Sequence, residues 1–183
     1  MARRREHPAA ARERRAAVDD PELVLAAALR FLEVRSRSIS EVRRRLTGAG
    51  YQPELVEGAV ARLVELGMLD DAAFGAAWLE SRDRARPRGE RALRQELRTK
   101  GLDGALVDDL LVERAASGED VDRVGAERVL ARHAAALARV TGPRARRQRA
   151  YALLARNGFD PEMCATAVRA FMADEPAAEP AAD

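Results

Sequence analysis

Cysteine occurs once, at Cys164, which excludes an internal disulfide and any zinc site built on cysteines and fits a reducing compartment. Aromatic residues make up only 4% of the 183 residues, so Ala and Leu must supply most of the packing. No apolar run approaches the ~20 residues that span a bilayer. The Arg-rich N-terminus is not followed by the apolar stretch of a secretion signal, so the cytoplasm is the expected location and no membrane partner is expected. No segment alternates Val, Ile, Thr or Tyr as a strand would. A glycine-rich phosphate loop is missing, which argues against nucleotide hydrolysis by this chain. Lysine is nearly missing too: every basic residue except Lys100 is Arg, the side chain that grips phosphate or carboxylate through two parallel hydrogen bonds.

Ala, Leu, Arg and Glu dominate instead, all strong helix formers, and an all-α fold follows. Three stretches organise it: Leu46 to Tyr51, Leu97 to Leu102 and Leu154 to Phe159. Each reads Leu, three residues, Gly, large apolar, and each follows an apolar residue four positions back (Val42, Leu93, Ala150). Gly suits the left-handed position just past a helix end, where the next residue packs back on the one five before it. A helix start comes directly afterwards, at Gln52-Pro53-Glu54, at Asp103 and at Asp160-Pro161-Glu162. The spacing therefore predicts nine helices as three tandem three-helix repeats, helix-turn-helix-like, at 21–67, 68–118 and 119–173. A unit of this size has little interior of its own, so an elongated, curved array is expected. Residues 1–20, basic and without an apolar stripe, and 174–183, acidic and Pro/Ala-rich, are expected to be disordered tails. Net charge is +2, but Asp174, Glu175, Glu179 and Asp183 leave the rest of the chain at +6.

Taken in order, Phe31-Leu32, Arg35, Ser38 and Glu41, then Leu46-x3-Gly50, then Gly67-Met68-Leu69-Asp70-Asp71 and Phe74, then Gly89, Leu93, Glu96-Leu97 and Lys100-Gly101, then Leu154-x3-Gly158-Phe159 resemble the RecX family, bacterial regulators of the recombinase RecA. The likeness covers roughly residues 25 to 172, with Val42 where Leu is usual. It implies three tandem three-helix repeats, no catalysis and no cofactor. It also implies binding of the RecA filament on single-stranded DNA, along its groove, with inhibition of its ATPase, recombination and co-protease activities. Some direct affinity for single-stranded and also double-stranded DNA is implied as well.

Arginines cluster around the start of each repeat's middle helix: Arg35, Arg37, Arg43, Arg44 and Arg45 in the first, where Glu33, Glu41 and Glu54 dilute them. The second has Arg82, Arg84, Arg86, Arg88, Arg91, Arg94, Arg98 and Lys100, and the third Arg139, Arg144, Arg146, Arg147 and Arg149. The second and third clusters, without Arg139, are the candidate partner and DNA-binding residues, since a basic row meets phosphate oxygens irrespective of base sequence. The plainer alternative is solvated, paired helix faces, with Arg91 beside Gln95 and Glu96 beside Lys100. Phe74, Trp78, Tyr51, Tyr151, Phe159 and Phe171 are expected to pack rather than stack on bases. Asp70-Asp71 reads as a helix cap rather than a metal site, Cys164 as core, and neither His7 nor His133 has catalytic company. A helix-turn-helix transcription factor and a scaffold for an acidic protein are the competing readings; few Asn or Gln are available for the base readout the former needs. A monomer is expected.

Overall fold

Helices begin where the sequence places caps. In the computed structural model, which describes residues 8–117 and 120–173, the described chain forms ten α-helices and no strand. They are α1 Pro8–Ala16, α2 Pro21–Leu32, α3 Ile39–Ala49, α4 Pro53–Glu65, α5 Asp71–Ala85, α6 Glu90–Thr99, α7 Gly104–Ala115, α8 Val121–Ala138, α9 Pro143–Arg156 and α10 Pro161–Ala173. Asp20 accepts from the Glu22 amide ahead of α2, and Asp70 accepts from Ala72 and Ala73 ahead of α5. Ser38 and Glu41 form a reciprocal capping box at the start of α3. Each bond satisfies a backbone N–H that the first helical turn leaves without a partner.

Helices end at the glycine turns. Gly50, Gly101 and Gly158 have φ of 104°, 86° and 88°, the left-handed region that only glycine enters without a steric penalty. At the first, Tyr51 N–H returns to Leu46 C=O (3.3 Å) and Gly50 N–H to Thr47 C=O (3.0 Å). The same two bonds recur from Phe159 to Leu154 (3.3 Å) and from Gly158 to Ala155 (3.1 Å). Gly67 closes α4 in this way as well, with Met68 N–H on Leu63 C=O at 2.9 Å.

The chain divides into two compact units, one from Met1–Ala76 with Arg98–Leu106, the other from Ala77–Leu97 with Val107–Asp183. The middle of the three expected repeats thus contributes to both. In the first unit α2, α3 and α4 pack pairwise around Val24, Ala28, Val42, Leu46, Val56, Val60 and Leu63. On α2 the fully buried positions are Val24 and Ala28, with Leu25 and Leu29 partly buried beside them. In the second unit α8, α9 and α10 pack around Ala126, Val129, Leu130, Ala150, Leu154, Phe159 and Val168, with Cys164 fully buried among them. Each buried Leu contributes about 1.5–3 kcal/mol, so aliphatic packing suffices where aromatics are scarce.

One expectation is corrected. Residues 8–16, assigned to a disordered tail, are α1, and tertiary contacts hold it. Arg15 Nη1 donates to Ala49 C=O (3.3 Å), and Gln52 Nε2 donates to Ala16 C=O (3.1 Å) and Val18 C=O (3.0 Å). A helix needs no apolar stripe when polar side chains from its neighbours clamp its end. Of the two expected tails, residues 1–7 and 174–183 lie outside the described residues, as does Gly118, the expected end of the second repeat.

Candidate partner interface

The three glycine turns share a use beyond ending helices: each is covered closely by another segment. In the first unit, a Cβ at Gly101 would lie 2.3 Å from Ser40 at the start of α3. In the second, a Cβ at Gly158 would lie 2.4 Å from Ala92 Cβ, at the start of α6. At Gly50 it would lie 2.5 Å from Arg12 Cγ on α1. The carbonyl preceding each glycine is capped from the covering segment: Lys100 C=O by Ser38 Oγ (2.6 Å), Asn157 C=O by Gly89 N–H (3.1 Å), Ala49 C=O by Arg15 (3.3 Å). Ser38 and Gly89 stand at the same distance in sequence before Leu46 and Leu97, and Arg146 stands there before Leu154. The starts of α3 and α6 therefore receive a turn. The matching start of α9 is open: Arg144, Arg147 and Arg149 are exposed, and Arg146 is half-buried, with its guanidinium toward the carbonyls of Ala138 (3.4 Å) and Val140 (3.5 Å).

The candidate cations fall into two groups. Several are engaged within their own unit. Arg82 lies over the Trp78 ring (4.5 Å) and donates to Glu96 (2.6 Å), to which Trp78 Nε1 also donates (3.0 Å). Arg88 donates to Asn157 Oδ1 (2.9 Å), and Arg91 to Ala155 C=O (3.0 Å). Arg94 bridges Glu90 (2.8 Å) and Asp108, and Arg84 pairs with Glu80. Lys100 pairs with Glu41 (3.0 Å), so the expected pairing of Lys100 with Glu96 gives way to tertiary partners for both. Arg86, Arg98, Arg144, Arg147 and Arg149 form the second group: exposed, with side chains that have no hydrogen-bond or ion-pair partner among the described residues. Sequence spacing alone could not separate the groups, because the partners lie up to 69 residues away.

The remaining candidates are structural. The pattern of Arg35, Ser38 and Glu41 is a knot at the head of α3: Glu41 holds Arg35 (3.0 Å) and Lys100 (3.0 Å) while Ser38, fully buried, links Glu41 N–H to Lys100 C=O. Burial alone would raise the Glu41 carboxyl, but hydrogen bonds from Arg35 and Lys100 outweigh it and hold it down at about 2. Asp70 caps α5, and Asp71 accepts from Ile39 N–H (2.9 Å) on α3, with burial pushing its carboxyl up. Among the described residues no group of His, Cys, Asp and Glu is placed to hold a metal. His133 Nδ1 rests on Val129 C=O (2.9 Å), and burial pushes the Cys164 thiol up, away from reactivity. Phe74 and Phe159 are core. Tyr151, expected to pack, is instead 37% exposed, on the side of α9 that faces a hollow lined by Arg91, Arg94 and Ala155. Between α8 and α9 runs a second groove, of about 690 Å³, whose lining includes Leu137, Val140, Ala152, Leu153, Arg149 and Arg156. No described helix is long and apolar enough to cross a membrane.

Helix, glycine turn, helix, with arginines around the joints, defines an all-α protein of helix-turn-helix-like units. The family profile described as "RecX, first three-helix domain" matches residues 25–63, and "RecX, second three-helix domain" matches 70–111. The Regulatory protein RecX of Mycolicibacterium vanbaalenii is 32% identical over 153 residues, 80% of this chain and 81% of that one. That of Mycobacterium avium (strain 104) is 33% identical over 153 residues, covering 80% and 83%. For the Regulatory protein RecX of Mycobacterium sp. (strain JLS), 38% identical over 91 residues, the match spans about half the length of either chain. The crystal structure of RecX from Lactobacillus salivarius superposes with a TM-score of 0.68 at 18% identity, over 83% of this chain and 96% of that one. A second solved regulatory protein RecX gives 0.69 at 22%, over 85% and 72%; at these identities the likeness is one of fold. The chain belongs to the RecX family of regulatory proteins.

Proposed function

We propose that this protein regulates the recombinase RecA by binding its filament on single-stranded DNA and lowering its ATPase, recombination and co-protease activities, without catalysis of its own. Membership of a family of regulatory proteins supports the regulatory role, and the resemblance carried by the sequence motifs supports RecA as the partner. The observation that carries the docking reading is the open start of α9. At the two equivalent helix starts the surface is closed by a turn, whereas here Arg144, Arg147 and Arg149 are exposed with no partner among the described residues. Exposed guanidiniums favour a surface rich in carboxylate or phosphate and set the orientation of the bound partner.

In this reading Arg86, Arg98, Arg144, Arg147 and Arg149 contact the filament, while Arg82, Arg88, Arg91 and Arg94 hold helices in register and act on binding only through the fold. Regulation then requires that the protein bind one filament geometry more tightly than others, since only differential affinity shifts an equilibrium. Sedimentation of RecA filaments assembled on single-stranded DNA tests it. The protein is expected in the pellet at moderate salt and in the supernatant at high salt. Absence from the pellet at low salt would refute the reading.

A further inference from the structure

We propose that the cleft bounded by α1, α2 and α3 is a seat for the sugar–phosphate backbone of single-stranded nucleic acid, with α1 as one of its walls. The proposal deepens the DNA-contact part of the reading above and rests on it. Two adjoining hollows, of about 340 and 780 Å³, meet at Arg15, Arg45 and Ala49. Arg12, Arg15, Arg30, Arg44 and Arg45 line them, and no carboxylate does. None of the five has an ion-pair partner among the described residues, although Arg35, Arg43, Arg62 and Lys100 of the same unit each hold a glutamate. Like charges gathered without counter-charge repel one another, and the fold holds them together regardless. Arg15 is fixed on Ala49 C=O, Arg12 lies over Gly50, where any side chain would collide with it, and Gln52 clamps the end of α1. Arg15 and Arg45 have neutral partners, the Ala49 carbonyl and the Phe31 ring, so the positive field stays uncompensated and is available to an anion.

The shape selects the anion. Planar guanidinium forks match phosphate oxygens in pairs. The Phe31 ring in one hollow lies beneath Arg37 at 4.1 Å and Arg45 at 5.6 Å, and it and Tyr51 pack partly buried against the core of the unit, so guanidinium is what the hollows present to a ligand. Two adjoining hollows lined with guanidinium form a continuous basic cleft that suits the evenly spaced phosphates of an unpaired nucleic-acid strand, held by its backbone rather than by its bases.

The test uses the full chain with fluorescein-labelled oligo-dT, read by anisotropy without RecA, and RecA ATP turnover as a separate readout. Gly48 lines the larger hollow, and a Cβ added there meets nothing within 4 Å. Gly48→Glu therefore places a carboxylate in the cleft and leaves the surrounding packing intact, and Gly48→Ala is its neutral control. Gly48→Glu is expected to weaken oligo-dT binding tenfold or more, and Gly48→Ala to stay within twofold of the parent protein. Arg44→Gln with Arg45→Gln should weaken binding and flatten the dependence of log K on log salt by about 0.7 for each phosphate that is no longer neutralised. Parental affinity and salt slope in both Gly48→Glu and the double Gln variant would overturn the proposal, as would a poly-Glu peptide binding more tightly than oligo-dT of equal charge. If Gly48→Glu loses oligo-dT while the parent protein leaves RecA turnover untouched, the cleft stands and RecA regulation falls. If the parent protein slows RecA but does not bind oligo-dT, the cleft falls and regulation stands.

Discussion

A methyl group added at Gly67 meets open space, whereas at Gly158 it would sit 2.4 Å from Ala92 Cβ and 2.6 Å from Ala92 N. Both glycines have positive φ, 67° and 88°, so the two positions separate backbone preference from close approach. Gly67→Ala is expected to cost about 1 kcal/mol, the left-handed penalty alone, and Gly158→Ala about 3 kcal/mol or more, because the covering helix must also shift. Urea unfolding measures both; equal costs would mean that the Gly158 joint is loosely packed. Glu41 gives a second test at this scale. Its carboxyl titrates near 2 in place of the ordinary 4.5, so the folded state binds its proton less readily than the unfolded chain. The linked stability is fully present above about pH 4.5 and is lost as pH falls through 2. It should be on the order of 2 kcal/mol, allowing for solvent screening at the half-exposed Arg35. The stability gap between the parent protein and Glu41→Gln should be flat above pH 5 and shrink toward pH 2; a pH-independent gap would contradict this.

Among the elements, α2 to α10 were legible because every start but that of α6, which follows Gly89, carries an Asp, Ser or Pro signal, and α3, α4, α6 and α9 end on a glycine, all local in sequence. α1 was not legible, since its nine residues have no apolar stripe and its anchors, Ala49 and Gln52, lie more than thirty residues on. Arg114 was missed for the same reason. It lies on α7 with its side chain only 10% exposed and joins Asp83 of α5 (2.8 Å) to Asp122 (2.8 Å) in the first turn of α8. Two carboxylates partly withdrawn from water find their counter-charge in this one guanidinium, Asp122 also accepting from Glu90 N–H (3.3 Å). Arg114→Met keeps the apolar stem but strands both acids, and is expected to cost about 3 kcal/mol. Thermal unfolding would show it, and Arg114→Met combined with Asp83→Asn and Asp122→Asn should recover much of the loss. No recovery would assign the cost to packing rather than to charge.

For the molecule as a whole, sequence order was enough for the family, because five weak motifs in fixed order outweigh any one of them. The candidate site was only partly legible. Counting arginines by repeat marked the second and third clusters, yet in the second Arg82, Arg88, Arg91 and Arg94 serve tertiary contacts. The same count discounted the first repeat for its glutamates, although Glu41 is occupied by Arg35 and Lys100 and lines neither basic hollow. Charge composition is a property of the sequence; which charges remain unpaired is a property of the fold. The proposed regulation turns on those unpaired charges. Its most direct test is RecA ATP turnover on single-stranded DNA, titrated with the parent protein and with a triple variant carrying Arg144→Glu, Arg147→Glu and Arg149→Glu. The parent protein should suppress turnover, and the folded triple variant should need at least tenfold more protein for the same effect. Turnover unchanged at saturating parent protein would contradict the account.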